Sequence, residues 1–145
     1  MAKYKYASWM AAFLLGLGIV SYKPVKEAFT EIPVNKSLTL VIYKDNNYSS
    51  TIYNHSSAQV HIIVERVKGG DRRIELDTTF DAKLLKEYPS AENAYMQGVS
   101  IPNVFANKEE IEVKYILTYY SGSSQLQMQD GLVLKQENEQ LKIGI

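Results

Sequence analysis

Hydrophobic positions in this chain recur at every second residue over most of its length, the spacing of a strand with one buried face. Residues 37–44 set Leu38, Leu40 and Ile42 against Thr39, Val41 and Tyr43, and the following Asp45, Asn46 and Asn47 predict a turn because their side chains bond their own backbone and tolerate positive φ. Residues 48–53 follow and close in a second turn at Asn54, His55, Ser56 and Ser57. Residues 58–68 place Ala58, Val60, Ile62 and Val64 on one face. Val67 falls out of phase, and a bulge near Glu65 and Arg66 is the simplest repair, because a slip of one residue turns every later side chain over. Gly69, Gly70 and Asp71 are a hairpin signal, after which residues 73–81 resume the alternation with Ile74, Leu76, Thr78 and Phe80 inward.

Residues 82–97 alone have helical character: Asp81 can cap them, Leu84, Leu85 and Tyr88 make a short stripe, and Pro89 stops it. A short helical crossover is predicted there. Residues 99–105 form a weaker strand broken by Pro102, and residues 111–121 a long one with Ile111, Val113, Tyr115, Leu117 and Tyr119 inward. Gly122, Ser123 and Ser124 turn the chain into residues 125–129, Asp130 and Gly131 turn it again into residues 132–136, and Leu141, Ile143 and Ile145 alternate once more. Eight or nine short strands with regular turn signals and one crossover predict an all-β fold, an antiparallel β-sandwich of immunoglobulin-like or Greek-key topology over residues 37–145. A closed barrel is the second choice, and an α/β fold lacks the repeated helices it needs.

The period changes at the other end. Lys3 and Lys5 precede an uncharged stretch over residues 7–20, too short to span a bilayer comfortably, so residues 1–21 read as a signal peptide, with an uncleaved anchor as the alternative. Residues 22–36, bracketed by Pro24 and Pro33, read as an extended lead-in or edge strand. The expected location is therefore outside the cytoplasm: periplasmic, cell-surface or secreted. The chain of 145 residues contains no cysteine, which removes disulfides, thiol catalysis and Cys-based metal sites, so an exported fold must be held by its core alone. Sixteen basic against sixteen acidic residues give no positive field for nucleic acid or for a membrane surface beyond the signal segment. Removing residues 1–21 takes away two lysines and no acids, leaving a net charge of −2.

Candidate chemistry is sparse. His55 lies in a turn and His61 on an outward strand face, neither in a catalytic motif. Asp77 with Asp81, or Glu109 with Glu110, could do acid–base work in a cleft but read as solvated strand and turn ends. Asp45, Asn46 and Asn47 lack the spacing and closing glutamate of a calcium loop, and no phosphate-binding glycine motif occurs, so no metal or cofactor is expected. Asn35, Asn47 and Asn54 open Asn-x-Ser triplets, glycan acceptors only in a eukaryotic secretory route. Tyrosine, at eleven residues, is the one class in excess, and Tyr48, Tyr53, Tyr119 and Tyr120 are the candidate binding residues, able to stack on a sugar or contact a protein. The expected function is a non-enzymatic exported domain that binds a protein or glycan partner or serves as a structural envelope component. A small secreted hydrolase or its inhibitor is one alternative. A strand-exchanging assembly subunit is another, a homo-oligomer formed by edge-strand pairing at residues 25–34 or 141–145.

Overall fold

A computed structural model describes residues 31–145, and the predicted signal peptide and most of the lead-in lie outside the described residues. Alternation becomes seven strands: β1 (Val34–Tyr43), β2 (Ser56–Lys68), β3 (Asp71–Leu84), β4 (Tyr95–Val104), β5 (Glu110–Ser121), β6 (Ser124–Val133) and β7 (Asn138–Gly144). They form two sheets, one of order β4-β1-β7 and one of order β3-β2-β5-β6. The fold is all-β. One pairing departs from the antiparallel expectation, since β7 runs parallel to β1 from Ser37↔Asn138 to Tyr43↔Gly144. Residues 34–36, assigned to the lead-in by their sequence, begin β1, the middle strand of its sheet.

The apolar rows behave as the period dictates. Leu38, Leu40 and Ile42 of β1, Ala58, Val60, Ile62 and Val64 of β2, and Ile111, Val113 and Leu117 of β5 join Leu141, Ile143 and Ile145 in a single buried cluster to which both sheets contribute. At roughly 2–5 kcal/mol for truncating a fully buried leucine or isoleucine, these rows dominate stability. Two hairpins set the register with positive-φ glycines. Gly69 (φ 57°) and Gly70 (φ 97°) join β2 to β3, and Gly122 (φ 57°) opens the two-residue turn between β5 and β6.

Four sequence expectations are corrected. The crossover over residues 82–97 is not a helix: β3 continues to Leu84, two single 3-10 turns follow at Leu85–Glu87 and Ala91–Asn93, and β4 starts at Tyr95. Leu85 and Tyr88 are buried as a helical stripe would bury them, but the 3-10 turn at Leu85 is enough to do it. Asp130 and Gly131 do not turn the chain. β6 runs straight through them, and Gly131 is needed because a Cβ there would collide with the Val113 carbonyl oxygen of β5. Ile74 points outward, 58% exposed, because β3 carries an extra residue, Glu75, between its pairings Val64↔Leu76 and Glu65↔Ile74. The bulge expected near Glu65 and Arg66 thus sits on the opposite strand.

Since β2 keeps its phase, Arg66 takes the next inward position and is 9% exposed. Its guanidinium bonds on every side: Nε donates to Glu75 Oε1 at 2.6 Å, Nη1 to the Asn103 carbonyl at 2.8 Å and to Glu109 Oε2 at 3.0 Å, and Nη2 to the Pro102 carbonyl at 2.7 Å. The two carbonyls are available because β4 bulges there. Pro102 has no N–H to lose, Asn103 adopts φ 54°, and the pairing slips between Val34↔Val104 and Lys36↔Ile101. Asn35 Oδ1 accepts the Asn103 N–H at 3.1 Å and holds the bulge to β1. Glu109, expected to be solvated, is 8% exposed and also accepts the Phe105 N–H at 3.2 Å. Nearby, Lys36 turns inward from β1 and donates to the Leu134 carbonyl.

Burial pushes the Glu75 carboxyl up, and the hydrogen bonds from Arg73 and Arg66 outweigh it, leaving the group below the ordinary glutamate value of 4.5. For Glu109, burial is likewise outweighed by the Phe105 N–H and by Arg66. A carboxyl whose value is lower in the fold than in the unfolded chain contributes stability that is present above the unfolded value and lost as pH falls through the folded one. Urea midpoints of the full chain are therefore expected to hold between about pH 6 and 8 and to fall below about pH 4.5, with Glu109→Gln flattening that acid limb. Arg66→Ala removes one donor from each of two carboxylates and from two carbonyls, leaving Arg73 on Glu75 and the Phe105 N–H on Glu109, and is expected to cost about 3–5 kcal/mol at neutral pH by urea unfolding.

Candidate functional site

The end of the molecule opposite Arg66 is built from hydroxyls and aromatic rings. After β1 the chain makes a loop whose single 3-10 turn, Thr51–Tyr53, is closed by Tyr53 N–H to the Ser50 carbonyl at 3.0 Å and Asn54 N–H to the Thr51 carbonyl at 3.2 Å. That turn brings Tyr53 beside the last residues of β5. Tyr119 and Tyr120 lie opposite Ala58 and Ser57 of β2 and opposite Leu126 and Gln125 of β6. Being consecutive in a strand, they point to opposite faces. At the hairpin end they border, from these two faces, one groove of about 390 Å³ lined also by Ile52, Tyr53, Leu85, Gln125 and Leu126 with serines 56, 57, 121 and 124 around them.

Tyr48, Tyr53 and Tyr120 are each held by a directed contact. Tyr48 donates from its hydroxyl to the Ile145 carbonyl at 2.6 Å and meets the Tyr53 ring edge to face, centroids 5.1 Å apart at 82°. Tyr120 donates to Gln59 Oε1 at 3.3 Å, and Ser56 to Ser121 across β2 and β5 at 3.3 Å. Burial raises the Tyr119 phenol above its ordinary value, with the neighbouring Tyr48 and Asp45 adding to it, and burial also raises Tyr48. Beneath the groove, Tyr88 donates to the Ala58 carbonyl at 2.8 Å and burial pushes it up to about 12. The Tyr48, Tyr88 and Tyr119 phenols stay protonated at neutral pH, and those of Tyr48 and Tyr88 are fixed donors. The structure brings together all four tyrosines singled out by the sequence: Tyr53, Tyr119 and Tyr120 line the groove, and Tyr48 braces Tyr53 from behind.

Two lining residues were not legible beforehand. Ile52 is 74% and Leu126 61% exposed, and both stand at the groove. Leu126 lies opposite Tyr119, yet every residue of β6 from Ser124 to Gly131 is exposed.

Elsewhere the chemistry stays thin. His61 Nε2 lies 2.7 Å from Asp77 Oδ1, on the outer face of the β2–β3 hairpin with side chains 32% and 51% exposed. Among the described residues no hydroxyl joins that pair, and neither residue lines the depressions described here. His55 is exposed in its turn, and Asp81 and Glu110 are exposed strand residues. No three His, Asp or Glu side chains gather among the described residues where a metal ion could sit. A broader depression of about 680 Å³ along β5 and β6 carries Glu112, Lys114, Asp130 and Lys135, charges that balance one another. No helix among the described residues is long and apolar enough to cross a membrane. Comparison with protein-family models, with curated proteins and with solved structures yields no match to this chain.

Proposed function

We propose that this chain is an exported, non-enzymatic domain that docks a protein partner through the tyrosine-lined groove. The observation that carries the reading is the meeting of Tyr53 and Tyr119 with two exposed aliphatic residues, Ile52 and Leu126, in one concave site that Tyr120 borders from the other face of β5. Tyrosine supplies contact area at low entropic cost, and exposed aliphatic residues beside it gain from being covered. The lining carries no charged side chain, and its one amide is Gln125 at the hairpin. Glycan sites hold ring hydroxyls with several charged or amide groups, so a groove with one amide and a largely aromatic and aliphatic lining fits an apolar side chain of a protein better than a sugar.

The uncharged run over residues 7–20 behind Lys3 and Lys5 supports export, and a fold without cysteine is compatible with it. For the architecture, the proposal is an immunoglobulin-like sandwich. In this reading β1 to β6 stand for strands B, C, C′, E, F and G, with β3-β2-β5-β6 as the C′CFG sheet. β7 then lies beside B where strand A would run, but parallel to it. Loops at one end of such a sandwich are free to carry contacts while the sheets stay rigid, which is how the 48–57 loop and the β5–β6 hairpin come to share a site.

The test uses the full chain expressed in its host with a photo-crosslinking residue at position 52, and at exposed position 92 as control. A defined protein adduct at 52 and not at 92 is expected, together with cleavage that removes residues 1–21. Leu126→Asp is expected to reduce adduct yield and affinity for that protein at least about tenfold while leaving the unfolding midpoint within roughly 0.5 kcal/mol. No adduct at 52, capture that is indifferent to Leu126→Asp, or binding to an oligosaccharide panel in place of a protein would overturn the proposal.

A further inference from the structure

The four sheet edges of this domain are not treated alike. β3 carries two bulges, at Glu75 and opposite Gln59, and the charges of Arg72, Arg73, Asp77, Asp81 and Lys83. β4 carries Pro102 and its own bulge, and β7 is seven residues long with Glu139 and Lys142. Prolines, charges, bulges and brevity are the devices by which edges are kept from pairing with other chains. β6 has none of them over residues 124–129. It is ten residues long, pairs with β5 without a register shift from Ser121↔Ser124 to Glu112↔Val133, and meets its first charge at Asp130. Its outer side pairs with no strand among the described residues. Both faces are open: every residue from Ser124 to Gly131 is exposed, Leu126 at 61% and Met128 at 54% on one face and the glutamines between them on the other.

We propose that β6 is the seam of a two-fold homodimer in which the β6 strands of two copies pair antiparallel about Gln127. The occupant follows from the sequence of the strand itself. Residues 125–129 read Gln-Leu-Gln-Met-Gln, a pattern that is the same in both directions. Centred on Gln127, antiparallel pairing sets Leu126 against Met128 of the other copy twice on one face, and Gln125 against Gln129 and Gln127 against Gln127 on the other. A two-fold interface must be self-complementary in this way, and an uncharged strand meets its copy without repulsion.

The backbone agrees with the register. The two-residue turn at Gly122 makes Ser121 and Ser124 a hydrogen-bonded pair, so even-numbered residues of β6 bond to β5 and the N–H and C=O groups of 125, 127 and 129 point outward. These are the residues that the Gln127-centred register matches to one another. The product is one eight-stranded sheet, and Leu126, which borders the tyrosine groove, then flanks the seam. The dimer does not depend on the groove having a ligand.

Because the chain has no cysteine, single substitutions report the register directly. On the two-fold axis, residue 127 lies about 5.5 Å from its copy between Cα atoms, within disulfide range. Residue 125 lies opposite 129 and about 14 Å along the strand from its own copy, at about 3.4 Å per residue. The full-length chain carrying Gln127→Cys is therefore expected to form a covalent dimer under mild oxidation. Gln125→Cys alone or Gln129→Cys alone is expected to form at least about tenfold less, and the two mixed to form the heterodimer. Sedimentation should give twice the chain mass at high concentration for the parent, and the single chain mass for Leu126→Lys. Far-ultraviolet spectra matching the parent confirm that the variants fold. A parent that stays monomeric to millimolar concentration would overturn the proposal. So would cross-linking with no preference for position 127, the result expected if the apolar residues 7–20 drive association or if an earlier segment of the same chain covers β6.

Discussion

A guanidinium placed where the alternation calls for an apolar side chain must find partners for its donors, and that requirement shapes one whole end of this domain. Arg66 continues the inward row of β2 after Val64, and everything irregular nearby is turned toward it. The β4 bulge delivers two carbonyls, the β3 bulge delivers Glu75, and the turn before β5 delivers Glu109. Because the carbonyls belong to one sheet and the arginine to the other, the group ties the two sheets together by bonds that have direction, where the apolar rows on their own would allow sliding.

The two ends of β2 thus carry different physics. Ser57, at the groove, is nine residues from Arg66, about 30 Å at strand spacing. At the arginine end, polar groups are buried and paired. At the tyrosine end, apolar groups are exposed, and Tyr48, Tyr88 and Tyr120 are held by hydroxyl bonds to backbone or amide oxygens. Fixing one end leaves the other free to present loops and a hairpin on a rigid base.

Much of this was legible from the chain. The rows in residues 38–42, 58–64 and 111–119 and the Gly69-Gly70 hairpin follow from period two and from positive φ, both local properties. What failed was decided by neighbours. Gly131 looks like a turn residue until the Val113 carbonyl is seen against it, and Ile74 looks inward until β3 is given one residue more than β2. Leu84, Leu85 and Tyr88 have spacings that a helix and a strand end followed by a 3-10 turn satisfy equally. Glu109 gave no sign of burial, because its partner lies 43 positions away. For the site, the tyrosines were visible as an excess, but Ile52 gains its place only from the 3-10 turn after β1, and Leu126 only from lying on an edge strand whose residues are exposed.

The measurement closest to the centre of the account is native-state amide hydrogen exchange of the full chain near neutral pH. If Arg66 joins the sheets into one unit, the Phe105 amide, bonded to Glu109 Oε2 in a short turn, exchanges only through global unfolding, with the same protection as Ile62 in β2 and Val113 in β5. A Phe105 amide that exchanges at the rate of an open loop while those two remain protected would show that the arginine cluster is a local ornament and that the apolar rows hold the sheets together without it.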